Sequence, residues 1–342
     1  MTSSSLSQLT ATRVRLFFRE PAAVFWTFGF PLLLSLALGI AFRAKPPQPS
    51  VAAVVAGPGA EAAAAALVAA GQRATVLPRD QARAALRTGR ADLVVVAGSP
   101  RTYELDPARE DSRLARLVVD DVLQRAEGRR DATPVADVPV SEPGSRYIDF
   151  LVPGLVGLNV MSSGMWGIGF VIVETRQKKL LKRLAATPMR RGEFLLSFVL
   201  LRLLFLLLEL PVLLGFGWLV FGVPVRGSLA LVAAIALAGA FAFAGLGLLV
   251  ASRAQNVQTV SGLINVVMMP MFLLSGVFFS ASHFPDLVQP ALRVLPLTAL
   301  NDALRAVMLD GAGLAAVAPQ LLLLAGVAAV SFALALRWFR WS

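Results

Sequence analysis

Five stretches of this chain, residues 22–42, 150–173, 228–251, 257–282 and 311–336, each run for more than twenty residues without a charge. A sixth, 194–221, is interrupted only by Arg202 and Glu209. At a rise of ~1.5 Å per residue, about twenty helical residues cross a hydrocarbon core, so each run is long enough to span a membrane. The composition agrees. Hydrophobic residues make up 56% and charged residues 15%, where a soluble domain carries about 25% charged residues.

Most of what remains is one block, 43–146, between the first run and the second, and it reads as a domain. The net charge of +11 would suit nucleic acid or an anionic membrane, so its placement decides. Residues 43–146 hold 15 basic and 13 acidic side chains, a near balance. Elsewhere, 13 basic residues lie outside the runs in four places: Arg13, Arg15 and Arg19; Arg176, Lys178, Lys179, Lys182, Arg183, Arg190 and Arg191; Arg253; Arg337 and Arg340. The alternate loops hold only Arg226, Arg293 and Arg305. By the positive-inside rule both termini are then cytoplasmic and 43–146 lies outside, because long loops translocate largely regardless of charge. The charge points to a lipid bilayer and not to nucleic acid. There is no cysteine, which excludes disulfides and thiolate metal sites. Basic residues are nearly all Arg and Ala is abundant, as in a high-GC bacterial genome, which places the chain in a plasma (inner) membrane.

These readings predict an all-α six-helix transmembrane domain with a small α/β extracytoplasmic domain inserted between the first and second spans. In chain order they give an amphipathic cytoplasmic interface helix (1–20), a first span (21–42), the outer domain and linker (43–146) and a second span (147–173). A cytoplasmic loop (174–193), spans at 194–221, 228–251 and 257–279, an external segment (280–312), a last span (313–337) and a cytoplasmic tail (338–342) follow. The first run exceeds the ~7–15 residues of a signal peptide's apolar region and no A-x-A precedes Arg43, so it is kept as a span. Before it, Leu6, Leu9, Leu16 and Phe17 share one helical face, opposite Gln8, Thr12, Arg15 and Arg19, which predicts a helix lying at the interface.

In the outer block, residues 51–56, 74–77 and 93–97 read as strands and 61–70, 79–88 and 112–125 as helices. This alternation predicts parallel pairing. Residues 128–146, with Pro134, Pro139, Pro143 and Gly144, read as a linker. Asp106, Glu110, Asp111, Asp120 and Asp121 interleave with Arg109, Arg113 and Arg116 and read as a solvated helix face.

The loop after the second span runs Glu174-Thr-Arg-Gln-Lys-Lys-Leu-Leu-Lys-Arg-Leu-Ala-Ala-Thr-Pro-Met-Arg-Arg. As a helix it places Leu180, Leu181 and Leu184 on one face and Lys179, Lys182 and Arg183 on the other, until Thr187-Pro188 ends it. Such an element either rests on anionic lipid or offers its apolar side to a soluble partner.

A Glu just past a span, a basic stretch and Leu-Lys-Arg-Leu-Ala-Ala-Thr-Pro-Met-Arg-Arg together resemble the coupling loop of type 2 ABC exporter permeases. A second match is Phe284-Pro285, Pro290 and then Leu295-Pro296-Leu297-Thr298-Ala299-Leu300-Asn301-Asp302-Ala303-Leu304-Arg305, ending near Asp310-Gly311. In that family this region forms short re-entrant helices between the last two spans, which marks Pro285, Pro296, Asn301 and Arg305. The resemblance covers residues 1 to about 30 and 147–342. It departs at Lys178-Lys179, where many relatives have Gly-Thr. It implies that Glu174, Leu180, Leu181, Leu184, Thr187 and Pro188 couple the chain to a cytoplasmic ABC ATPase holding ATP and Mg, and that two permeases, alike or different, make the transporter. The cargo it implies is an amphiphilic or hydrophobic drug, lipid or glycolipid.

The chain itself carries no phosphate-cradling G-x-x-x-x-G-K-[ST] loop, since none of its four Lys follows a Gly. No cofactor, metal or catalytic residue is expected in it, and its only His, His283, reads as structural. Arg202 and Glu209 are costly inside a span and lie seven apart on one face. Either they mark a substrate path or subunit contact, together with Asn159 and Met165, or Arg202 snorkels to the cytoplasm and Glu209 pairs locally. Asp149 reads as interfacial. Pro31, Pro153, Pro211 and Pro270 should kink their helices, and Gly154, Gly157, Gly164, Gly167 and Gly169 give the second span a surface for close packing. A proton-coupled secondary transporter would carry more intramembrane carboxylates or His. A sensor with an outer binding domain would need an output route, and the longest cytoplasmic stretch has about 20 residues.

Overall fold

In the computed structural model, residues 5–42, 48–131, 133, 136, 144, 146–180, 191–279 and 284–338 are described. The chain forms two compact units, Met1–Arg43 with Ser141–Ser342, and Ala44–Val140. Its helices and strands are α1 (Ser5–Phe18) and α2 (Pro21–Ala41); β1 (Val51–Val55), α3 (Ala60–Ala69), β2 (Arg73–Leu77), α4 (Arg79–Arg87), β3 (Leu93–Val96), β4 (Thr102–Glu104) and α5 (Glu110–Ala126); then α6 (Tyr147–Gln177), α7 (Arg191–Phe221), α8 (Leu229–Arg253), α9 (Val257–Leu274), α10 (Gln289–Arg293), α11 (Pro296–Met308) and α12 (Leu314–Trp338). The linker expected over 128–146 falls largely outside the described residues, as do His283 and Arg340.

In Ala44–Val140 the sheet order is β2-β1-β3-β4. β1 pairs in parallel with β2 (Val51 opposite Arg73) and with β3 (Ala52 opposite Leu93). Helical crossovers between β1, β2 and β3 make this pairing possible, since parallel neighbours need a long connection. β4 was not foreseen and pairs antiparallel with β3, Val95 opposite Tyr103. Alternation along the strands sends Ala52, Val54, Leu93 and Val95 to a core with Leu67 of α3 and Ala115, Val119 and Leu123 of α5. Ala53 and Val94 face α4 at Ala82 and Ala85. α5 turns its smaller face inward: Ser112 donates to the Asp92 carbonyl at 2.6 Å, while Leu114, Leu117 and Val118 are exposed.

The expected solvated acidic face on α5 is partly knitted into this unit instead. Tyr103 Oη donates to Asp120 at 2.8 Å, Arg116 pairs with Asp120 at 2.9 Å and lies over the Tyr103 ring, and Arg109 pairs with Asp92 at 3.2 Å. For Asp120 and Arg116 the partner is Tyr103 of β4.

Among the described residues, six helices, all in the second unit, are long and apolar enough to cross a membrane: α2, α6, residues Leu200–Phe221 of α7, α8, α9 and α12. α6 is the most buried and packs against α2, α7, α8, α9 and α11. Lipid supplies no hydrophobic drive between helices, so small residues that allow close approach carry the packing. A Cβ on Gly164 would lie 2.8 Å from Phe243 Cβ of α8, and one on Gly247 would lie 2.8 Å from the Gly164 carbonyl oxygen. The small-residue surface of α6 is thus used within this subunit at Gly154, Gly157, Gly164 and Gly169, while a Cβ on Gly167 would meet none of the described residues within 4 Å. α1 packs on α7, with the Phe17 and Phe205 rings 4.2 Å apart.

Two single π-helical turns interrupt the spans, Phe25–Gly29 in α2 and Met165–Phe170 in α6. α9 stops at Leu274 although its apolar run continues to Ser282, because Gly276 takes a positive φ of 69° that ends a helix.

Candidate functional site

The loop that was expected to couple to a partner leaves α6 at Gln177. There Lys178 Nζ donates to Glu174 at 2.8 Å, and this hydrogen bond raises the Lys178 pKa. Arg176 turns the other way. Its guanidinium donates to the carbonyls of Ala251 (2.8 Å) and Ser252 (3.4 Å), and also to that of Ala254, all at the end of α8. The last carbonyls of a helix have no partner within it, so Arg176 satisfies them and bolts the start of the loop to α8. Sequence reasoning counted Arg176 only as one charge of a cluster. Its acceptors lie 75 or more residues away, so no local signal named it. Lys179 takes a positive φ of 57°, which turns the chain, and Leu180 is exposed. Leu181, Leu184, Thr187 and Pro188 lie outside the described residues.

Inside the unit, Arg202 does not reach for the membrane surface. Its Nη1 donates to Glu209 Oε2 at 2.8 Å, and the two residues are 4% and 2% exposed. The seven-residue spacing puts them two turns apart on one face, within reach of each other. Ser163 of α6 stands beside Glu209. One turn before it, Asn159 Nδ2 donates to the Thr27 carbonyl of α2 at 2.9 Å. That carbonyl would normally accept from the N–H four residues on, but residue 31 is Pro and has none. Asn159 therefore fills the acceptor that Pro31 leaves open, at the π-helical turn of α2. Met165 is buried apart from this group and packs against Gly247 of α8.

The segment after α9 is also held by side chains bound to backbone. Asn301 Nδ2 donates to the Ser275 carbonyl at 3.0 Å. Arg305 donates to the Phe150 carbonyl at 3.2 Å and to that of Gly276, with its guanidinium 3.6 Å from the Phe150 ring centre. Pro296 starts α11, where its missing N–H costs nothing. Pro285 lies in the stretch before α10. α11 is buried along Leu297, Leu300, Leu304 and Val307, against α6, α8 and α12. Asp149, expected at the interface, is fully buried: it accepts from the backbone N–H of Gly144 (3.0 Å) and Arg146 (3.1 Å) and from the Arg146 side chain (2.7 and 2.9 Å). It closes the first turn of α6, a place where orphan N–H groups require an acceptor.

The profile of the ABC-2 family transporter protein matches residues 21–337. The chain belongs to the ABC-2 transporter family. Its six apolar helices and that membership make it a multi-pass membrane protein. Similar proteins include the ABC transporter G family member 20 of Dictyostelium discoideum, 31% identical over half of this chain and 24% of that protein. The inner membrane transport permease YhhJ of Escherichia coli is 30% identical over 35% of this chain and 32% of its own length. The probable multidrug ABC transporter permease YbhS of Escherichia coli is 25% identical over 55% of this chain and 52% of its own length. The ABC-2 chain thus spans from about a quarter to about half the length of these relatives. Among the described residues, no group of three or more His, Asp or Glu side chains is placed to hold a metal.

Proposed function

We propose that this chain is the membrane-spanning permease subunit of an ABC exporter, driven by ATP hydrolysis on a separate cytoplasmic ATPase that docks on residues 174–191. The observation that carries the reading is the anchoring of that loop. It starts from α6, the most buried span, and Arg176 ties its first turn to the end of α8. A push delivered to Leu180, Leu181 and Leu184 is passed to the two helices at the centre of the unit and not lost in a slack connection. The Glu174 to Lys178 pair holds the departing turn. ATP and Mg belong to the partner.

In this reading both termini and the loop are cytoplasmic, Ala44–Val140 is extracytoplasmic, and α10 and α11 are the short re-entrant helices on the outer side. A second permease, identical or related, completes the transporter. The cargo is an amphiphilic or hydrophobic molecule, and the multidrug name of one relative supports that class. The test is to purify the tagged chain from its native membrane: an ATPase subunit copurifies and is lost when Leu180 and Leu184 are changed to Asp. Stable purification with no ATPase would overturn the reading.

A further inference from the structure

Glu209 Oε2 occupies one N–H of Arg202, at Nη1. Among the described residues, the Nε and Nη2 edge of the same guanidinium has no hydrogen-bond partner, and neither has Asn159 Oδ1; Glu209 Oε1 makes no close hydrogen bond, with the Ser163 hydroxyl standing beside that carboxylate. Arg202, Glu209 and Asn159 are all more than nine-tenths buried. This is an unusual remainder. An ion pair at such depth is stabilised when its remaining donors and acceptors are also engaged, and here one edge of Arg202 and one oxygen of Glu209 make no close hydrogen bond.

The shape of the remainder is informative. The Nε and Nη2 edge is a planar, two-donor fork that matches the two oxygens of a carboxylate or phosphate. An anion bound there alone would give the cluster a net negative charge at low dielectric. A ligand that also brings a cationic N–H donor keeps the site neutral and supplies Glu209 Oε1 and Asn159 Oδ1 with a close donor. We propose that the cluster formed by Arg202, Glu209 and Asn159 is a headgroup site for a zwitterionic amphiphile, an oxyanion beside an N–H-bearing amine, whose apolar tail stays in the bilayer. α2 is the wall that admits it. α2 is among the least buried of the spans, and its π-helical turn at Phe25–Gly29 lies where Asn159 holds it, so parting α2 from α6 at that point opens the cluster to the side. This inference rests on the permease reading and specifies the cargo chemistry.

The experiment uses the full chain in nanodiscs and radiolabelled lysophosphatidylethanolamine as the probe. Saturable binding is expected. Lysophosphatidylcholine, whose amine has no N–H, and an uncharged alkyl maltoside should compete about tenfold or more less well. Tail-less glycerophosphoethanolamine should compete equally poorly, and its competing as well as the probe would overturn the amphiphile class. Arg202→Lys keeps the charge but loses the fork and should weaken binding about tenfold. The pair Arg202→Met with Glu209→Met removes both charges together and should abolish it. Equal binding by wild type and either variant, or equal competition by the maltoside, overturns the site and leaves internal water as the only occupant. Should the double variant fail to insert, the Arg202→Lys comparison decides alone. Binding that persists while no ATPase copurifies would break the permease reading only; loss of binding with the ATPase retained would break the site only.

Discussion

The two units of this chain solve the same problem, burying polar backbone, with opposite means. Ala44–Val140 does it with a sheet whose ladder satisfies the backbone, a core of Ala, Val and Leu on both faces, and charges kept at the rim, as in Arg79 and Arg83 around Glu104 or Arg125 with Asp121. The other unit has no water to finish a broken helix. It spends individual side chains on freed carbonyls: Asn159 on Thr27, Asn301 on Ser275, Arg305 on Phe150 and Gly276, Arg176 on Ala251, Ser252 and Ala254. In a bilayer every backbone group must be satisfied internally, so wherever a proline, π-helical turn or helix end frees one, a polar side chain has to be brought to it. The surface ion pairs of the first unit are therefore largely interchangeable, and the polar side chains of the second are committed to particular backbone groups.

That contrast can be broken most easily through the charges. Glu209→Gln leaves Arg202 charged and buried without its counter-ion, and should destabilise the membrane unit by about 3–5 kcal/mol. Asp121→Asn, at the surface of the other unit, should leave the melting temperature of the full chain within the scatter of wild type. Comparable losses in both would show that the two units do not differ as described. Close packing gives a smaller effect. A Cβ on Gly157 would run into Asn301 Oδ1, whereas one on Gly57 meets nothing within 4 Å. Gly157→Ala should cost about 1–3 kcal/mol and Gly57→Ala should be nearly neutral, measured by thermal melts in nanodiscs.

The smallest effect is one of pH and belongs to the water-exposed unit. Hydrogen bonds from Arg83, and then from Arg79, hold the Glu104 carboxyl down to about 2 from an ordinary 4.5. A carboxyl depressed on folding contributes stability that is present above its unfolded pKa and is lost as pH falls towards the folded one. The tie between α4 and β4 should therefore weaken from about pH 4.5 down towards pH 2. Melts of the full chain over that range should fall more steeply for wild type than for Glu104→Gln, and identical slopes would remove the tie from the account.

Much of this was legible in the sequence, for reasons that differ by region. Span length and the placement of Arg and Lys need no tertiary information, and the strands at β1, β2 and β3 announce themselves as short Val- and Ala-rich runs between helical stretches. β4 did not, because Thr102, Tyr103 and Glu104 are three residues with no apolar periodicity, and with β4 hidden the engagement of Asp120 by Tyr103 was hidden too. The outward turn of Leu114, Leu117 and Val118 ran against their size, since the inward face of α5 is chosen by how closely Ser112 and Ala115 let the helix approach the sheet. In the membrane unit, Arg202 and Glu209 stood out as charges in a span, but Arg176 and Asp149 did not, because their roles depend on carbonyls and N–H groups brought to them by folding. Pro31 was read as a kink. Its consequence, an acceptor at Thr27 waiting for Asn159, required knowing which helix lies alongside.

The absence of cysteine from the chain makes one measurement especially clean. Leu184→Cys and, separately, Leu117→Cys each introduce a single thiol, one in the loop after α6 and one on the exposed face of α5. Each variant is labelled in native membranes with a short photoactivatable maleimide, irradiated, and its cross-linked partner identified by mass spectrometry. The permease account predicts a cross-link from position 184 to an ATP-hydrolysing subunit and none from position 117. An ATPase cross-linked from 117, or a thiol at 184 that reacts from outside intact cells, would contradict it.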